Sequence, residues 1–367
     1  MTKLALHEFH DGLGANFSEM NGQEVVADYR ETLAEHAALR ESAGVLDLSF
    51  RGRICLTGAD RVRFLHGQVT NDVNGLSEGL GCYAALTTAK GKMQADLNIY
   101  RLQEELLLDF EPGLTEMVSQ RLEGFIVADD VQVVDVAPLY GLLSVQGPRA
   151  GGVLTGVDPF RRETSQLDKP FVFIKVCDPA LGEMYLMNQP RLGTRGFDLF
   201  VPTPALGALA EKLIASAKTI AGRPCGWRAF EMARIEAGIP RFGVDMDETN
   251  FPQECGIESR ALSYTKGCYI GQEVLNRIHT LGHVNKELRG LRLADDLKNL
   301  PGKGDKLFHD GKEVGYVTSS LNSPSMEANI ALGYVRKDAN QIGSELVLKA
   351  AAGESRARVV ELPFTSE

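Results

Sequence analysis

The chain has 367 residues, 44% of them hydrophobic and 24% charged, and a formal net charge of −10. That length exceeds what one hydrophobic core ordinarily serves, so two or three domains are expected, and no apolar run is long enough to cross a bilayer as a helix. The acidic balance argues against direct nucleic-acid binding, which needs a basic face.

Six cysteines are scattered without a C-x-x-C pair, which points to reduced thiols in a cytoplasmic protein and away from a disulfide framework. The first ten residues turn acidic and polar too early for a secretory signal. Tyr29, Leu33 and Ala37 fall at i, i+4, i+8 and predict a helix face that Gly44 can end. Ile54-Cys55-Leu56 reads as a strand, and Gly58-Ala59-Asp60 leads into a helix carrying Val62, Phe64, Leu65 and Val69. Residues 82–137 read as a β-β-β-α-β passage: strands at 83–88, 93–102 and 106–110, a helix from Pro112 to about Phe125, and a strand at 131–136. Such an order suggests a sheet with helices on one side. Strands are predicted at 140–145, 171–176, 184–187 and 197–201, with helices at 203–220 and 228–237. Beyond Leu288 six short strands alternate with turns, and Asp310-Gly311 is a hairpin signal, so a small barrel is expected.

The stretch Lys266-Gly267-Cys268-Tyr269-Ile270-Gly271-Gln272-Glu273 has the composition of a site. Its glycines permit a tight turn or close approach, and an ammonium folding back on the thiol would favour thiolate. A turn with a half-buried cysteine and solvated charges fits the same residues. Around it, from Glu258 to Arg292, six Lys/Arg stand against three acids, a basic island that suits a small polyanion or a merely solvated face. His279 and His283 are spaced as helix neighbours, but no third ligand is in view and Gly282 lies between them, so no metal site is expected. Cys255 reads as structural. Asp245, Asp247 and Glu248 have a cation-cluster spacing, and Arg234 with Glu236 reads as a salt-bridge set.

The octapeptide resembles the signature of the YgfZ-type folate-binding proteins, relatives of the glycine-cleavage T-protein that support iron–sulfur protein maturation or repair. Tyr29 to Ser49, Phe64-Leu65-His66-Gly67-Gln68-Val69-Thr70-Asn71-Asp72-Val73, Arg234-Ile235-Glu236-Ala237-Gly238 and Asp247-Glu248-Thr249 are similar to further landmarks of that family, in order. The resemblance implies an α+β, three-domain T-protein-like cloverleaf with a central tetrahydrofolate hole. Residues 1–56 and 138–286 would form an interleaved central lobe, 57–137 a second lobe and 287–367 a C-terminal β-barrel. It implies tetrahydrofolate or a one-carbon derivative as cofactor, and iron–sulfur proteins or cluster-assembly factors as partners, with no membrane.

On that template Lys266, Gly267, Tyr269, Gly271, Gln272, Glu273, Arg228, Lys90 and Lys92 are the expected cofactor-binding residues, and Cys268 is the reactive thiol. One cysteine cannot hold a cluster, which ordinarily takes four protein ligands, so Cys268 would act transiently. Aminomethyltransferases carry two adjacent aspartates in the segment resembling residues 88–97, and the first is the one assigned to catalysis. Here Ala95 fills that place and Asp96 follows it. Neighbours on a strand face opposite ways, so Asp96 is at most a weak substitute, and losing a positioned acid–base group costs roughly 10²–10⁴-fold in rate. Thr194 likewise stands where the T-protein has a folate-contacting glutamate. Phe64, Tyr83, Tyr100, Phe197 and Trp227 could wall a pterin slot or simply be core. The leading expectation is a folate-binding accessory protein; the alternatives are a folate-dependent one-carbon transferase using Asp96, and a thiol-redox or scaffold protein.

Overall fold

The computed structural model describes residues 1–297, 299–351 and 353–364. By packing, the chain falls into two compact units, one of residues 1–84 and 96–233 and the other of residues 85–95 and 234–367.

The first unit holds a six-stranded sheet in the order Phe173–Asp178, Gly182–Asn188, Gly196–Pro202, Tyr140–Gln146, Gly44–Asp47 and Arg223–Pro224. All neighbours are antiparallel except the last pair, which is parallel. Alternation of side chains sends Val145, Phe197, Leu199 and Val201 into a core shared with the helices Ala150–Thr155 and Leu206–Lys218. A second core gathers Leu39, Leu46, Tyr100, Phe200 and Phe230. The helix Thr32–Glu41 buries Glu35, His36, Ala38 and Leu39, while Leu33 is 65% exposed. The expected Tyr29/Leu33/Ala37 face is therefore corrected. Glu35 is inside because its carboxylate accepts the backbone N–H groups of Tyr29 and Gly226, which meets the demand of a buried charge. Gly44 begins a strand instead of ending that helix; a Cβ there would stand 2.5 Å from Leu39.

A five-stranded sheet runs in the order Gly81–Thr87, Met93–Arg101, Leu106–Phe110, Gly52–Thr57 and Gln132–Asp135. The tip of its first hairpin, residues 85–95, belongs to the second unit. Residues 16–28, for which no element was expected, pair as the hairpin Asn16–Met20 and Gln23–Asp28.

The second unit contains the closed barrel, ordered Lys286–Leu293, Ala328–Arg336, Lys312–Ser323, Lys306–His309, Glu345–Ala350 and Gly353–Val360. Closure leaves no free sheet edge, and Leu291, Leu307, Val317, Val335, Leu348 and Val359 fill the interior. Asp310 and Gly311 both take positive φ, at 49° and 75°, the geometry that a tight two-residue hairpin requires. Among the described residues, no helix is long and apolar enough to cross a membrane.

Candidate functional site

In the second unit the signature octapeptide forms the entrance to the helix Gln272–Leu281. Gly271 caps that helix at φ +88°, and a Cβ on it would meet the Thr88 carbonyl oxygen at 2.6 Å and Thr87 Oγ1 at 2.8 Å. Only glycine fits both the conformation and the space. Thr87 Oγ1 donates to the Ile270 carbonyl at 2.8 Å, and a Cβ on Gly91, at φ +73°, would stand 3.2 Å from Leu275. The turn Lys90-Gly91-Lys92 and the signature loop therefore interlock through one glycine each. Lys92 is not a solvent-facing cation: its ammonium lies 3.3 Å from the centroid of the Phe251 ring and donates to the Thr249 carbonyl at 2.7 Å. Burial lowers its pKa. Lys90 is exposed.

Within the loop Lys266 is 8% exposed, with its ammonium 4.8 Å from the centroid of Tyr269. Tyr269 is 7% exposed, its hydroxyl is buried without a hydrogen-bond partner, and burial pushes its pKa up to about 12. Gln272 donates to the Gly267 carbonyl at 3.3 Å. Gly267, Cys268 and Glu273 are exposed. The loop thus presents a thiol and a carboxylate outward while its lysine and tyrosine anchor it.

Cys255, by contrast, is buried and accepts a hydrogen bond from Tyr334 at 3.1 Å, and desolvation pushes its thiol up to about 12. That is an inert setting. All six cysteines are free. The basic island is not a single surface. Lys286 reaches Tyr316 and lies over the Tyr334 ring, and Arg289 pairs with Glu287. Asp245 is no cation ligand either: Arg234, Thr318 and Ser319 all donate to its carboxylate. Glu236 accepts from Ser323 and Ser325.

The first unit carries a buried polar network that sequence reasoning missed. Asp96, Asn98 and Tyr100 share one face of the strand Met93–Arg101, and Met93, Ala95, Leu97 and Ile99 make the other, fully buried one. Asn98 donates to Asp109 at 2.8 Å, and Asp109 also pairs with Arg51 and Arg191, both at 2.7 Å. Arg51 reaches on to Glu111 at 2.5 Å, and Arg191 to Asp198 at 2.6 Å. Burial alone would raise Asp109, yet the Arg191 and Arg51 guanidiniums hold it well below the usual carboxylate range. Asp96 is different. It accepts from the Tyr83 hydroxyl at 2.8 Å, and desolvation, with the charge of Glu111 behind it, pushes its pKa up to about 6.

Among the described residues, five buried polar atoms of this unit have no partner: Arg61 Nε, Asp96 Oδ1, Tyr100 OH, Gln189 Oε1 and Thr194 Oγ1. Buried polar groups are ordinarily satisfied, so orphans of this kind fit a flat heterocycle with donors and acceptors on its edge. The aspartate inside Leu106-Leu107-Leu108-Asp109-Phe110 was the legible signal, since a lone carboxylate in an apolar strand needs a buried cation. Phe64, Tyr100 and Phe197 are core, and Trp227 stacks on Phe230. Arg228 pairs with Asp28 at 2.5 Å. Neither Asp96 nor Arg228 belongs to the unit that carries the octapeptide.

Residues 6–265 match the GCVT N-terminal domain, and residues 286–365 match the glycine cleavage T-protein C-terminal barrel domain. The aminomethyltransferase of Geobacillus kaustophilus is 31% identical over 99% of this chain and 98% of its own length. That of Shouchella clausii is 29% identical, with the same coverage. The crystal structure of glycine cleavage system aminomethyltransferase T from Bartonella henselae covers 99% of this chain and 98% of its own, with a TM-score of 0.86 and 24% identity, a likeness of fold. The chain belongs to the glycine-cleavage T-protein (aminomethyltransferase) family, a family that binds tetrahydrofolate.

Proposed function

We propose that this chain is a tetrahydrofolate-binding accessory protein serving iron–sulfur proteins or their assembly factors, and that it does not turn over as an aminomethyltransferase. The observation carrying this reading is the strand at 95–96. Ala95 lies on an apolar, fully buried face, and Asp96 points to the other face, where Tyr83 holds it. A carboxylate one residue on is therefore not a carboxylate in the catalytic place. The outward thiol of Cys268, on a loop held to the 87–92 turn, supplies the group that a partner would meet. Asp96 and Gln189, each with a buried oxygen lacking a partner, would hold the pterin edge.

The second reading is folate-dependent aminomethyl transfer with Asp96 as the acid–base group. Its raised pKa supports this, because a proton-transfer group works best near the operating pH. So do the aminomethyltransferase names of the curated relatives, which speak for transfer more directly than for the accessory role.

Calorimetric titration with tetrahydrofolate, run in parallel on wild type and Cys268→Ser, is the first test. Equal binding by both, with no methylene-tetrahydrofolate formed from an aminomethyl donor, is the expected result. Turnover that Asp96→Asn abolishes would replace this reading with the second. Absence of binding by wild type would sink both.

A further inference from the structure

The helix Gln272–Leu281 has the signature loop at its first turn and a cavity of about 660 Å³ at its last, beside Gly282 and His283. Ten helical residues separate the two ends by about 15 Å, so the cavity is distinct from the signature loop. Its lining is built around one hydrogen-bonded chain. Gln253, 8% exposed, donates through Nε2 to the Leu275 carbonyl at 3.1 Å and to the Tyr264 hydroxyl at 3.2 Å. Tyr264 donates to Glu258 at 2.5 Å, and Glu258 also takes His279 Nδ1 at 3.0 Å. The His279 and Tyr264 rings stack at 3.8 Å, inclined by 18°.

The atoms left over are all of one kind. The bond to Leu275 fixes the Gln253 amide, which leaves Oε1 as a buried acceptor without a partner. The contact with the Glu258 carboxylate makes His279 Nδ1 the donor, and in a ring carrying that one proton Nε2 is the acceptor. His283 Nδ1 meets the Leu281 carbonyl at 3.0 Å, with the same consequence for its ring. Glu258 adds a carboxylate, and the carbonyl end of a helix dipole adds partial negative charge; Glu287, also on the lining, is already taken by Arg289 and Asn340. No Lys or Arg lines the cavity among the described residues. Three metal-competent side chains do not converge there either.

From this we infer that the Gln253–Tyr264–Glu258–His279 cavity binds a small organic cation, a guanidinium or ammonium group that donates to Glu258 and Gln253 and lies against the His279 ring. The cation is either a free small molecule or a basic side chain of a peptide; both have the same chemistry. The inference does not depend on folate or on Cys268.

The test is a calorimetric titration of the full chain with benzamidine, with its neutral counterpart benzamide, and with N-acetyl-Gly-Arg-Gly-amide. Benzamidine is expected to bind at least about tenfold more tightly than benzamide, the usual scale of a hydrogen bond to a charged group. Glu258→Gln and His279→Ala are each expected to weaken benzamidine about tenfold while the melting temperature is checked. Ser259→Phe enters the cavity from an exposed position outside the hydrogen-bonded chain and should abolish binding even if the other two variants fold poorly. Tripeptide binding that matches benzamidine identifies a peptide side chain as the source, and benzamidine binding alone identifies a free cation. Equal affinity for benzamide, unchanged binding by Ser259→Phe, or no heat up to about 10 mM ligand would overturn the proposal.

Discussion

At position 271 the backbone turns through φ +88°, and the Thr88 carbonyl and Thr87 hydroxyl occupy the space that a Cβ would need. Gly271→Ala combines positive-φ strain with a clash against backbone, and should destabilise the protein by about 1–3 kcal/mol in urea denaturation. An unchanged midpoint would show that the two loops can separate freely. Asp96 makes a prediction of a different kind. Its ordinary pKa of 3.8 is pushed up to about 6 in the folded chain, so the native state holds an extra proton between those values. Stability must therefore fall as pH rises from about 4 to about 6. Asp96→Asn removes that penalty, and its stability relative to wild type should grow across this window and then level off. Parallel pH profiles for the two proteins would remove the raised pKa from the account. Ala95 could be read from the sequence as a departure, because the segment around it resembles a known motif. The partners of Asp96 could not, since Tyr83, Arg51 and Glu111 come from separate strands and loops.

Among the elements, the barrel was the most legible. Its strands are short, their side chains alternate, and turn residues separate them. The helix Thr32–Glu41 was misread because an apolar count cannot anticipate a glutamate buried to accept backbone amides. The helix Trp227–Glu236 ends with a similar device. Arg234 donates to Asp245 and to Ser319, and Thr318 donates to the same carboxylate. Arg234 and Asp245 are both buried, so Arg234→Met would strand a charge and should cost about 3–5 kcal/mol by chemical denaturation. Adding Asp245→Asn to that variant should return part of the loss. A double variant no better than the single would mean that packing, and not charge, holds the helix end.

For the whole molecule, the second unit is discontinuous in sequence: residues 85–95 complete what 234–367 begin. Met93 N donates to the Asn250 carbonyl, Lys92 covers Phe251, and Met93 lies against Cys255. A fragment of residues 234–367 should therefore melt non-cooperatively and bind a hydrophobic dye, and fusion of residues 85–95 to it should restore a cooperative transition. A fragment that melts as sharply as the full chain would show the insert to be dispensable. Sequence order alone could not show this arrangement, because nothing in residues 85–95 names a partner so far down the chain.

The same insert sets a timetable for synthesis. Met93 leaves the ribosome about 160 residues ahead of Asn250, a delay of roughly 8–30 s at elongation rates of about 5–20 residues per second. Through that interval the apolar side chains of Met93 and Ala95 lack the surroundings that bury them in the finished protein. A chaperone bound to the nascent chain, or a pause before residue 250, would act most strongly during this interval.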